Sequence, residues 1–160
     1  MALKFEIGEV TLRHILAVAM LAASTLIGSV FAQTGALHMS VVENNRETML
    51  ALIEEGADVN ARMSGGWTPI MIAAKYGRVQ LLRDLLRANA RVNLTDNSGN
   101  TALILAVMAR QAQVVRILAA SRANLDHQNE EGMSAFQIAA LMDQNDILQI
   151  LENAQRQAVR

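Results

Sequence analysis

Gly66-Trp67-Thr68-Pro69-Ile70-Met71-Ile72-Ala73-Ala74 is a turn running into a helix. Gly66 supplies the tight turn, and Thr68 stands where the helix begins, its hydroxyl placed to accept from an orphan N–H of the first turn. Pro69 occupies the first helical position, where a missing N–H costs nothing. The apolar run Ile70–Ala74 reads as a short helix, and Gly77-Arg78 breaks it. A second helix is predicted over about Val79–Arg87, with Leu81, Leu82, Leu85 and Leu86 on one face. Helices this short are unstable alone and must bury their apolar faces against neighbouring units.

Those neighbours are visible as a period of 33 residues. Gly66, Gly99 and Gly132 keep that spacing, as do Thr68, Thr101 and Ser134. So do Ala73, Ala106 and Ala139, and Leu52, Leu85, Leu118 and Leu151. Ala57, Ala90 and Ala123 are each followed three residues later by Asn60, Asn93 or Asp126. Gly56 and Asn89 fall where the second helix should end in a left-handed residue, and Arg122 occupies the same column. The units are 34–61, 62–94, 95–127 and 128–160.

With both halves of the unit in view, the sequence resembles the ankyrin repeat family. Gly66–Ala74 is similar to that family's G-x-T-P-L-H-x-A-A, and Glu55-Gly56-Ala57-Asp58-Val59-Asn60-Ala61 to its E-G-A-D-V-N-A. The resemblance implies an all-α repeat protein, a solenoid of helix-turn-helix units joined by β-hairpin-like turns. It covers essentially all of residues 34–160. The family's Thr and His are never present in one unit: His38 is paired with Gly35, and Thr68 with Met71. Ala102 and Ala135 replace the Pro, and the hairpin Asp survives only as Asp96, with Met63 and Asn129 at the matching places. These departures predict lower stability per unit rather than another fold.

Residues 1–32 lie outside the repeat register. Ile15–Ala32 carries no charge, follows Lys4 and Arg13, and ends in Val30-Phe31-Ala32. This layout predicts a signal peptide cut between Ala32 and Gln33, leaving a repeat domain of 33–160 in the periplasm or outside the cell. Glu6 and Glu9 offset the two basic residues. The alternative is an uncleaved helix that anchors the same domain to a membrane.

Composition narrows the chemistry. The chain is 52% hydrophobic but only 3% aromatic, which predicts an aliphatic core. With no Cys there is no disulfide, thiolate nucleophile or thiolate-bound zinc. One Pro and nine Gly argue against a disordered linker or a many-turned β-sandwich. Beyond residue 32 the His are His38, in a scaffold column, and His127, in a turn; a shared metal site between them is not expected. Glu130-Glu131 reads as a solvated hairpin tip. No phosphate loop, nucleophile elbow or metal-ligand spacing is present. The expected function is therefore binding rather than catalysis, with no cofactor, no metal and no small-molecule substrate; an enzyme is the remote alternative.

The net charge of -1 hides a pattern. The first and last units are acidic, whereas the second holds Arg62, Lys75, Arg78, Arg83, Arg87 and Arg91 against Asp84 alone. A basic centre between acidic ends suits a partner of opposite pattern, and the flanks disfavour nucleic acid. The equally simple reading is ordinary surface charge, with Arg83 and Arg87 bridging nearby acids. Partners of ankyrin-type proteins contact hairpin tips and the exposed side of the first helices. Carried onto this sequence, those columns imply a concave protein-binding face of Arg62, Trp67, Lys75, Tyr76, Asn97, Asn100, Met108, Glu130, Met133 and Met142. Ser64, Gly65, Ser98, Ala109, Glu131 and Leu141 lie in the same columns. Trp67 and Tyr76 are expected to be exposed and to anchor the interface, while Met71 and Phe136 are expected to be core.

Overall fold

The computed structural model describes residues 34–158. The predicted leader and its cleavage point lie outside the described residues. Three columns of left-handed backbone punctuate the chain. The first follows each first helix, at Asn44, Gly77, Arg110 and Asp143, with φ of 58°, 65°, 56° and 54°. The second follows the second helices of the first three units, at Gly56, Asn89 and Arg122, with φ of 92°, 63° and 62°. The third closes each hairpin, at Gly66, Gly99 and Gly132. The chain thus reverses at matching places from unit to unit, except that the fourth unit's second helix runs on through the second column's position. The sequence reading anticipated the second and third columns. It missed the first as a column, because Asn44, Gly77, Arg110 and Asp143 share no residue type and Arg carries no left-handed signal.

Between these breaks lie four helix pairs. Residues 34–42 (α1) precede α2 (Arg46–Glu54), and α3 (Pro69–Lys75) precedes α4 (Val79–Arg87). They are followed by α5 (Ala102–Met108) with α6 (Ala112–Ala120), and α7 (Ala135–Leu141) with α8 (Asn145–Ala158). The helices form two layers: α3, α5 and α7 pack side by side, as do α2, α4, α6 and α8, and α3, α5 and α7 each lie on their own second helix. The core is aliphatic, as composition required. Leu85, Leu118 and Leu151 are fully buried along the second layer, each contributing about 1.5–3 kcal/mol. Ala73, Ala106 and Ala139 are fully buried in the first layer, where a small side chain lets helices approach closely. Met71 is core as expected, and Phe136 packs half-buried against it.

The hairpins are built by one repeated bond. Met63 N–H donates to Trp67 O at 2.8 Å, Asp96 to Asn100 at 3.0 Å and Asn129 to Met133 at 3.1 Å. Successive hairpins are then stitched together, Asn97 N–H to Gly65 O at 2.8 Å and Glu130 N–H to Ser98 O at 3.0 Å. The approach is so close that a Cβ on Gly99 would lie 2.9 Å from Glu130 N, so this position needs glycine for space as well as for φ, whereas Gly132 needs it for φ alone. On the opposite edge, Asn60 Oδ1 accepts from Arg91 N–H at 2.7 Å and Asn93 Oδ1 from Asn124 N–H at 2.8 Å. The periodic Asn column is therefore a link between units.

Capping departs from expectation in one unit. Thr101 and Ser134 cap their helices by accepting from Ile104 and Gln137 N–H, each at 3.3 Å. Thr68 does not: its Oγ1 is buried without a hydrogen-bond partner. The position that in α1 carries His38 is Met71 here, which offers only its sulfur, 3.4 Å from Thr68 N. His38 itself is fully buried and structural, Nδ1 lying 2.6 Å from Thr34 O and Nε2 3.1 Å from Trp67 O. His127 Nε2 lies 2.8 Å from Gly99 O, so it too serves the scaffold.

Candidate protein-binding face

The first helices all end on the same surface, and their last residues form one column: Val42, Lys75, Met108 and Leu141. Val42, Met108 and Leu141 are 37%, 48% and 75% exposed, unusual values for large apolar side chains in one register. Met39, one turn earlier in α1, is also exposed, whereas its equivalents Ile72, Leu105 and Ile138 are buried. Tyr76, half exposed, stands beside Lys75. The Lys75 ammonium lies 5.0 Å from the centroid of the Trp67 ring and 6.0 Å from that of Tyr76, within cation–π range.

Several predicted site residues hold other places than expected. Trp67 is not a freely exposed ring: it is half-buried and packs against the core, where it also covers Gly65. Asn100 is buried, its Nδ2 donating to Asp96 Oδ2 at 3.3 Å and its Oδ1 accepting from Asn129 Nδ2 at 2.9 Å. The cause is the same for both: this hairpin column faces the neighbouring structure, and the side chain that lands there packs inward. Met133, in the same column, and Met142 are likewise half-buried against the core. Arg62 is exposed, but its guanidinium donates to the carbonyls of Gly66 and Thr95. Asn97 and Glu130 are exposed on the hairpins, and Tyr76, Lys75 and Met108 form the open surface. Val42 and Met39 were missed by sequence reasoning. The signal was present, since Val42 lies one period before Lys75, but the expected face began at the second unit.

The basic centre is also less free than the residue count suggested. Asp84 in α4 is only 5% exposed and accepts from Arg46 Nε at 2.6 Å, Arg46 Nη2 at 3.3 Å and Arg87 Nη1 at 2.7 Å. Arg46, from the first unit, replaces Arg83 as the bridging partner. The Arg46 hydrogen bond holds the Asp84 carboxyl below the usual carboxylate range despite opposing burial, helped by Arg46's charge and by Arg87. Arg78 Nη2 donates to Val42 O at 3.3 Å, tying α1 to the second unit. Lys75 has no ion-pair partner among the described residues.

A stack of helix pairs with hairpin tips and an exposed first-helix edge defines a repeat solenoid whose chemistry lies in its surface. The family model for ankyrin repeats (3 copies) matches residues 16–96 and 70–158, and the chain belongs to the ankyrin repeat family. It is similar to the potassium channel AKT1 of Arabidopsis thaliana, 48% identical over 44 residues, which are 28% of this chain and 5% of the channel. Protein phosphatase 1 regulatory subunit 27 of Homo sapiens is 39% identical over 51 residues, 32% of this chain and 33% of that protein. The mouse protein of the same name gives the same identity and coverage. The matches span a third or less of these curated relatives.

Proposed function

We propose that this chain is a non-enzymatic module that holds a partner protein on its concave face, and that it does so in the periplasm or outside the cell after removal of residues 1–32. The observation that carries the binding reading is the open surface of Tyr76, Lys75, Met108 and Leu141. Apolar and aromatic side chains stand in solvent there, on a scaffold that buries their neighbours. Membership of a repeat family supports it, and so does a relative whose name makes it a regulatory subunit of another protein. Export rests on the uncharged run Ile15–Ala32 and its small-residue ending.

Cross-linking in producing cells, with wild type beside a Tyr76→Ala/Met108→Ser double variant, tests the face. Both side chains are exposed, so the unfolding midpoint should hold within about 0.5 kcal/mol per site. A partner cross-linked to wild type and lost from the variant is the expected result; identical cross-links from both would refute the concave face. Intact mass of the exported protein tests the leader: residues 33–160 are expected, and a full-length mass would establish the membrane-anchored form instead.

A further inference from the structure

Val42, Lys75, Met108 and Leu141 differ in chemistry but share one register, which makes the column a pattern that a linear partner can read. Resting on the concave-face reading above, we infer that the partner presents an extended segment with side chains at every third residue. These are apolar against Val42, acidic against Lys75, and apolar against Met108 and Leu141.

The spacing follows from the scaffold. Packed helices lie about 8–10 Å apart, and α3, α5 and α7 pack directly on one another, so Lys75, Met108 and Leu141 are separated by about that distance. His38 against Trp67 O and Arg78 against Val42 O hold α1 on the second unit and carry the register to Val42. A polyproline-type segment has three residues per turn and rises about 3.1 Å per residue, giving about 9 Å per turn with every third side chain on one face. Four such side chains therefore meet four units within ten residues. A fully extended strand matches the distance but turns alternate third residues to the opposite face. An α-helix needs about seven residues per step and is about 10–12 Å wide. In the third and fourth units Met108 and Leu141 are the exposed large apolar side chains, and one such side chain per unit favours the narrower chain.

The acidic position follows from Lys75. Its ammonium sits against two aromatic rings with no carboxylate on it among the described residues. Rings attract a cation without neutralising it, so the charge stays available to an incoming carboxylate. The acidic residue also fixes the register, because the other three positions are all apolar and do not distinguish a one-unit slip.

The test uses the full chain and fluorescein-labelled ten-residue peptides, read by anisotropy. One has leucine at its first, seventh and tenth positions and glutamate at its fourth, with proline and serine between; the second is the reversed sequence, since the column does not fix chain direction. One of the two should bind saturably. Replacing its glutamate by lysine should weaken binding about five-fold, and Lys75→Glu should reverse that preference. Leu141→Asp should weaken binding about ten-fold or more without lowering the unfolding midpoint. The inference is overturned if neither peptide binds, or if binding ignores both Lys75→Glu and Leu141→Asp. Tighter binding by a helical peptide with leucine at every seventh residue would overturn it too. A partner lost from the Tyr76→Ala/Met108→Ser variant while both peptides fail would leave the concave face standing and remove only the three-residue pattern.

Discussion

Arg122 is the sharpest place to test the account of how each unit ends. It follows α6 with φ of 62°, in the column where Gly56 and Asn89 end the earlier second helices. An L-residue with a Cβ is strained there by about 1–2 kcal/mol. Glycine relieves that strain but loses about 0.5–1 kcal/mol through the greater freedom of the unfolded chain. Arg122→Gly should therefore stabilise the protein by about 0.5–1 kcal/mol. The bond that the residue does make is kept, because Asn93 Nδ2 donates to its backbone carbonyl at 3.2 Å. The guanidinium is exposed and has no partner of its own among the described residues.

Thermal and urea unfolding followed by circular dichroism would read the effect, a rise of about 2–4 °C in midpoint for a domain of this size. Arg122→Asn should also raise it, by less, since Asn tolerates the left-handed region. Arg116→Gly is the control, because within helix α6 glycine should cost about 1 kcal/mol. If Arg122→Gly and Arg122→Asn both lower the midpoint, left-handed strain does not govern this position and the account of the turn fails.

Asp84→Asn should destabilise the protein by about 2 kcal/mol at neutral pH; its charged hydrogen bonds are strong, but Arg46 and Arg87 are more than half exposed and rehydrate when released. Because the folded carboxyl titrates below its unfolded value of about 3.9, its contribution is fully present above that pH and is lost as pH falls through the folded value. Urea midpoints of wild type and variant should therefore converge below about pH 4, and a gap that widens in acid would refute the linkage. Trp67→Ala should cost about 2 kcal/mol of stability, since roughly half of a ring burying about 150–250 Å² is at stake. An unfolding midpoint within about 0.5 kcal/mol of wild type would instead return the ring to solvent.

The sequence by itself determined the period and the positions at which each unit turns, because these rest on local backbone chemistry repeated in register. Gly66, Pro69, Gly56 and Asn89 specify turns and helix ends within a few residues of themselves, and α4 runs over the span that its leucines and flanking turn signals predicted. Tertiary structure decided which members of a column meet solvent. Met39, Ile72, Leu105 and Ile138 share one column, yet Met39 is exposed and the other three are buried. Residue identity fixes how a unit turns. Exposure depends on the side chain that the adjoining unit brings alongside, and that neighbour lies 33 positions away in sequence. For the same reason Arg46 was not legible as the partner of Asp84, nor Val42 as the first position of the exposed column, until the units were stacked.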